Sequence, residues 1–468
     1  MPLNIDIWLY ILALVPLQDA VSFTRVSREF RSLTLEKSFW ISLLLAKKAS
    51  RPLPCPDDEN LADHDIAHLK DMVFHVLRLE RNWGRRRPDY LSMKTIRLGP
   101  GHRILHAVPG TPLLFVHSGL SGDVACWNVD TETALHSTYI GRSVFHVSLL
   151  SRHNKICSMA LLVTDDLVDD YSTRPSYLVV ITIQTASPSP IIEVPFRRPL
   201  EASFTFGQLF LNQEVVGLLR VFDMGRLEIV AFNRFNGVCR IIRTDTLYDR
   251  RMGAFLDGSL YVVNHRSDFS SNVYNCPSHF LPYNDSGETR ITDTLKWDDG
   301  GIRFWSAVDA NYVGLETWLE ALGALSHTPF RGAALTTLHY INVDEEPLPS
   351  AINIRFWSFK DRDTPLSQRL HPSHSLNLRG MIATTSSLSR PPYLVANSDV
   401  SVLIFVSYDD GLGLVLVRYD PSTFSSAISH LDVPSPSDLA SVSSVALDDH
   451  RGVVMFIEDD VLYSVSYA

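Results

Sequence analysis

Cysteine is scarce in this chain of 468 residues: Cys55, Cys126, Cys157, Cys239 and Cys276 are scattered, with no C-x-x-C pair and no even set of close spacings. That pattern excludes a disulfide framework and a zinc-finger signature, and it implies a reducing, intracellular compartment. A membrane-spanning run is missing as well. The apolar stretch Ile7 to Val15 (IWLYILALV) is too short to cross a bilayer. It has no basic segment before it and no small-residue cleavage site after it, so it is not a signal peptide. A soluble chain of the cytoplasm, the nucleus or both is expected, with no membrane partner. Basic excess is lacking too: 42 Lys and Arg stand against 52 Asp and Glu, a formal charge of -10, which argues against nucleic acid as a partner of the whole chain.

The glycine patterns of cofactor and nucleophile loops are also absent. GLGLVL from Gly411 to Leu416 lacks a third glycine and a following helix, and GLSG from Gly119 to Gly122 does not complete a nucleophile elbow. HDIAH, His64 to His68, puts two imidazoles one helical turn apart, but its acid is Asp65 in place of glutamate and a third ligand is missing, so a packing helix is expected. The acids Asp165, Asp166, Asp169 and Asp170 lack the spaced ligands of a calcium loop. No catalytic residue, metal or cofactor is expected.

What is present changes texture once, near residue 95. Before it, apolar residues recur at helical spacing, as in Ile66, Leu69, Val73, Val76 and Leu79, ending at Trp83-Gly84. After it come short β-rich runs separated by turn residues, among them LLFVHS, YLVVITIQ, RLEIVAFN and VLYSVSY, with a helical turn or two expected only around Glu316 to Leu325. Pairs such as VVGLLRVFDMGRLEIVAFN and VVMFIEDDVLYSVSY read as strand, tight turn, strand. About 370 residues of such hairpins exceed a sandwich, and radial repetition is the economical solution. The expected fold class is α+β multidomain: a small all-α N-terminal module, then an all-β domain, a β-propeller of six to eight blades. The expected divisions are 1–45, a helical linker over 46–91, and 92–468. Because the final segment supplies about three strands, MKTIRLG at Met93 to Gly99 is expected to complete the last blade against residues 461–467.

The opening LNIDIWLYILALVPLQDAVSFTRVSREFRSLTLEKSFW, Leu3 to Trp40, resembles the F-box, a short helical module that docks proteins onto a ubiquitin-ligase scaffold. Leu3 stands at the family's opening leucine, Ile7, Ile11 and Leu12 on its first helix, and Val15-Pro16 at its Leu-Pro. Asp19 takes its acidic position, Val26-Ser27 its Val-Ser, Phe30 its aromatic and Trp40 its closing tryptophan; Asn4 departs from the usual proline. Asn4 or Asp6 can cap the first helix, and Asp19 a second one carrying Phe23, Val26, Phe30 and Leu33 on one face. The resemblance implies contact with a Skp-type adaptor, and through it a cullin scaffold, by Leu3, Ile7, Ile11, Leu12, Val15, Pro16, Leu17, Val26, Phe30 and Trp40. The run VACWNVDTETAL resembles a WD-repeat strand with Asn128 in place of the aspartate, IRFWSA and IRFWSF being fainter echoes; no blade is expected to show the family's Gly-His dipeptide, so a degenerate propeller is expected.

Together these imply the substrate-recognition subunit of a Skp-cullin-F-box ubiquitin ligase, non-catalytic, its propeller binding an unknown protein substrate. The alternatives are an F-box protein acting outside ubiquitin transfer, and a ligand-binding or enzymatic propeller whose helical start is structural. Arg220, Arg226 and Arg355 are candidates for pairing with a phosphorylated target. RNWGRRRP, Arg81 to Pro88, reads as a solvated end of the linker helix.

Overall fold

A computed structural model describes residues 5–468 apart from connecting stretches, the longest being 166–175, 306–315, 321–334, 343–350, 360–369 and 380–394. Five α-helices come first: α1 (Ile5–Ala13), α2 (Leu17–Phe23), α3 (Arg28–Leu33), α4 (Lys37–Lys48) and α5 (Ile66–Trp83). The long second helix expected from the sequence is two helices. Pro16, lacking an N–H to bond, occupies the N-cap of α2, and Asp19 lies in its first turn instead of capping it. The chain then breaks at Thr24 to Ser27, where Ser27 accepts a hydrogen bond from the Phe30 N–H and caps α3. Asp65 does the same for α5 by accepting from His68.

From Ser92 onward the described residues form seven sheets of four or five strands. The first blade is a meander of β2 (His102–Ala107), β3 (Leu113–Ser118), β4 (Asp123–Asn128) and β5 (Thr133–Tyr139). The second opens with β6 (Ser143–Val147), the third is centred on residues 206–247 with Arg290–Leu295 added as a parallel fifth strand, the fourth draws its strands from 251–276 and 302–305, the fifth from 316–379 and the sixth from 395–431. Burial follows the period of a strand packed on both faces, with Leu113 to His117 wholly inside. Leading strands pack on one another from sheet to sheet: Val395–Ser398 on Val442–Asp448, that strand on β2, and Phe206–Leu211 on Arg251–Leu256. Sequential meanders stacked through their leading strands are the blades of a propeller.

The seventh blade closes as the sequence predicts. Val442–Asp448, Val453–Glu458 and Val461–Ser466 supply three strands, and the fourth is β1 (Ser92–Arg97), antiparallel to the last with Ser92 opposite Ser466 and Arg97 opposite Val461. Asp459 and Asp460 take positive φ in the two-residue turn that aligns the last hairpin. One expectation fails: Glu316–Glu320 is a strand paired with Leu335–Asn342, not the start of a helical turn. A second is corrected by Gly101-His102, a Gly-His dipeptide at the head of the blade whose third strand ends in Trp127-Asn128.

Candidate functional site

The helical module is built around one apolar core. Leu12, Leu17, Ala20, Val21, Leu33, Phe39, Trp40, Leu43 and Leu44 pack with Leu53, Cys55 and Leu61, and with Leu69, Met72, Val73 and Val76 of α5. Trp8 lies edge-on to Phe30 at 4.7 Å, and Phe23 sits 4.1 Å from Phe30, closing the angle between α1 and the α2–α3 pair. The Trp40 indole N–H donates to the Thr34 carbonyl at 2.9 Å, which satisfies the last polar atom of a side chain only 2% exposed.

The ten residues expected to meet an adaptor separate into two groups. Ile7, Ile11, Val15, Pro16 and Val26 are exposed, Val26 by 70%. Leu12, Leu17 and Trp40 are buried in the module's own core and so hold the surface up from behind, a correction to their expected role. Phe30 is half-buried in the aromatic cluster, and Leu3 lies outside the described residues. Sequence reasoning missed Tyr10, Leu14 and Leu35, exposed by 69, 71 and 74%. Their signal was readable, since positions 7, 10, 11 and 14 recur at the spacing of one helix face, opposite Trp8, Leu9 and Leu12. Half of the exposed large apolar side chains among the described residues fall between Ile7 and Leu45, a density above that of singly scattered surface residues.

This segment, residues 2–42, matches the family model of the F-box domain. It is an F-box domain.

Behind the F-box, residues 46–91 do not form a separate linker. The upper part of α5 completes the F-box core, while its last turns enter the β domain, where Leu79 and Trp83 pack with Leu403, Leu416, Leu447 and Phe456. Polar contacts cross the same joint. The Trp83 carbonyl accepts from Arg418 Nη2 at 2.5 Å and from Ser429 Oγ at 3.1 Å. His450 Nδ1 donates to the carbonyls of Leu53 and Cys55 at 2.8 and 3.1 Å, and Asp58 pairs with Arg152 at 2.8 Å. Two glycines allow the approach: a Cβ on Gly452 would meet Leu79 at 2.3 Å and one on Gly110 the Cys55 backbone at 2.4 Å, and both have positive φ.

The other candidate motifs resolve into structure. His64 and His68 stack at 4.5 Å with Asp65 spent on the helix cap, and among the described residues no cluster of His, Cys, Asp or Glu could hold a metal. Asp165 pairs with Arg197 at 3.3 Å; Asp166, Asp169 and Asp170 lie outside the described residues. Arg220 is not a surface reader: it is buried and pairs with Glu228, itself wholly buried and also bound by Arg243 at 3.1 Å. Arg226 is exposed at the head of its strand. Arg355 lies on the third strand of the fifth blade. Gly411 opens a hairpin strand paired with Tyr408. Within RNWGRRRP, Arg85 pairs with Asp89 and the Arg86 carbonyl accepts from the His430 N–H. Among the described residues no helix is long and apolar enough to cross a membrane.

No curated protein matches the chain in sequence. Among solved structures it is similar to the β-propeller domain of Cps50 (Swd1) from Myceliophteria thermophila, at 12% identity and a TM-score of 0.43, over 80% of this chain and 98% of that one. The WD40 domain of SCAP from fission yeast gives 8% and 0.37, over 81% and 95%. Oligogalacturonate lyase from Vibrio parahaemolyticus gives 11% and 0.39, over 81% and 97%.

Proposed function

We propose that this protein is a substrate-recognition subunit of a Skp-cullin-F-box type ubiquitin ligase, acting without catalysis of its own. The observation that carries the reading is the exposed apolar face of the F-box, Ile7, Tyr10, Ile11, Leu14 and Val26, held rigidly by a core that its own helices cannot complete without α5. A Skp-type adaptor, leading to a cullin, is the partner that face suits, and the propeller supplies loop surface for a protein target. The joint between them adds a second support. Because α5 is shared between both cores, a target on the propeller is held at a fixed distance from the scaffold, which raises the effective concentration of its lysines at the ubiquitin carrier.

The test is a triple alanine variant of Tyr10, Leu14 and Val26, all of them exposed. Capture of a Skp-type adaptor should fall by at least tenfold with an unchanged melting temperature, and the steady-state level of co-purifying target proteins should rise in cells. Adaptor capture equal to that of the unmodified protein would refute the reading.

A further inference from the structure

The three arginines after α5, Arg85, Arg86 and Arg87, are exposed and join neither core. Their main chain is fixed nonetheless. The Arg86 carbonyl accepts from the His430 N–H at 2.9 Å, Pro88 is buried, Asn82 bonds both the N–H and the carbonyl of Asp89, and the Leu91 N–H donates to the Ser466 carbonyl at 2.8 Å. Residues 86–91 thus run as a strap from Ser425–Leu431, the outermost strand of the sixth blade, to β1, the outermost strand of the seventh. On it Arg86, Arg87, Tyr90 and Leu91 are all exposed. β1 continues the row. Met93, Thr95 and Arg97 are exposed at every second position, while Lys94 and Ile96 turn to the first blade, where Lys94 pairs with Asp130 and Ile96 packs with Ile104 and Leu114. Tyr90, Leu91 and Met93 put three exposed large apolar side chains within four residues, and no other such stretch of the described chain after residue 45 holds more than one.

Cations stand at both ends of this apolar stretch. Arg85 pairs with Asp89, but Arg86, Arg87 and Arg97 have no acidic partner among the described residues. Burial, and then the charges of Arg86 and Arg87, hold the pKa of His430 below its ordinary value, which sets both guanidinium groups beside the sixth blade. The other acids nearby are engaged or lie past the row: Asp130 with Lys94 and Arg451, Asp459 and Asp460 in the turn of the last hairpin. The edge beside the row is open as well. Among the described residues β1 pairs only with Val461–Ser466, so the N–H and C=O groups of its other side have no strand against them. Charged side chains on such an edge keep identical chains apart, and here their sign selects what can add to it. A long nucleic acid would meet the formal charge of -10 carried by the whole chain. A short acidic peptide feels charges only within about 8–10 Å, and it can also cover the apolar side chains. From Leu91 to Arg97 the row measures roughly 20 Å at about 3.3 Å per residue, the length of a strand of about six residues.

We propose that the outer edge of β1, with the strap before it, is a docking site for an extended acidic polypeptide segment. The segment adds to the seventh blade as a fifth strand, with apolar side chains on Tyr90, Leu91 and Met93 and acids paired with Arg86 and Arg87 at one end and Arg97 at the other. Because the strap is already held in place, little main-chain ordering opposes binding on this side. The site uses none of the residues of the exposed F-box face and goes beyond the ubiquitin-ligase reading without depending on it.

The experiment measures fluorescence anisotropy of labelled probes against the full chain. The first is the peptide Glu-Glu-Val-Thr-Val-Thr-Glu-Glu; the second has lysine for each glutamate; the third has proline for each threonine, which keeps charge and apolar side chains but removes the N–H groups a strand needs. The fourth is an oligothymidylate of the same length. Unmodified protein should bind the first at least tenfold more tightly than any of the others. The double variant Arg86→Glu, Arg87→Glu should weaken that binding at least tenfold, as should Met93→Glu, and Arg226→Glu on the third blade should leave it unchanged. A photo-crosslinking version of the first peptide should label residues 85–97 of the unmodified protein, a readout that stands even if a variant fails to fold. Equal binding of the lysine or proline peptide, tighter binding of the oligothymidylate, undiminished binding by the folded double variant, labelling confined to other segments, or no binding of the first peptide would each overturn the site. Adaptor capture by the double variant should stay at the unmodified level, which separates failure of this site from failure of the F-box reading.

Discussion

The Asn82 side chain, near the end of α5, donates to the main-chain oxygen of Tyr467 at 2.9 Å and to that of Asp89 at 2.6 Å, while its own oxygen accepts from the Asp89 N–H at 3.0 Å. One buried amide thus ties the helix that completes the F-box core to the strand that closes the propeller. Asn82→Ala strands a main-chain donor and two acceptors in a site only 7% exposed. A loss of about 2–3 kcal/mol is expected, seen as an earlier chemical-denaturation midpoint. Asn82→Asp, which lacks the donors, should not recover it.

His75 gives the joint a dependence on pH. Burial, then the charge of Arg78, holds its imidazole down at about 4, against an ordinary value near 6.5. The folded protein therefore resists a proton that the unfolded chain accepts below pH 6.5. Stability from the neutral ring is complete above 6.5 and is lost as pH falls towards 4, by about 2–3 kcal/mol. Denaturation curves at pH 7, 6 and 5 should show His75→Gln losing less stability over this interval than the unmodified protein; parallel losses would contradict the assignment.

Trp40 and Tyr10 should behave oppositely despite lying in the same module. Trp40→Ala empties a site at the centre of the F-box core and should cost about 3–5 kcal/mol. Tyr10→Ala, on the exposed face, should shift stability by less than about 0.5 kcal/mol while lowering adaptor capture. A thermal melt and a pull-down on the two single variants check both halves.

Closure of the seventh blade predicts a cost at a distance from any loop. Ile96 is 6% exposed, opposite Leu462, and packs with Met455 and Ile457. Ile96→Asp should cost about 3 kcal/mol or more and, by freeing β1 from Val461–Ser466, expose a strand edge prone to association. Size-exclusion chromatography should show oligomers that the unmodified protein lacks.

Much of this was legible in the sequence, and what was not shares one cause. The ordered apolar positions from Ile7 to Trp40, the change of texture near residue 95 and the strand missing from the last blade follow from local pattern, because helix and strand periods are local. Which side of a helix faces its own core is not local. Leu12, Leu17 and Trp40 point inward because α5, outside the motif, supplies the other half of that core, so a division at residue 45 cuts through packed side chains. The break in the second helix was readable from Ser27 as a cap. Arg220 and Glu228 are directly opposite across a hairpin, so counting outward from the turn residues expected between the two apolar runs would have paired them.

The pairing of β1 with Val461–Ser466 also has a consequence in time. During synthesis the F-box helices and α5 leave the ribosome first, and all their core partners up to Val76 are then at hand. The strand that must lie against β1, and the Tyr467 carbonyl that fixes Asn82, emerge only after six other blades have been made. Under the proposed function, a nascent or truncated chain carries a finished docking face on an unfinished receptor, able to occupy an adaptor before it can hold a target.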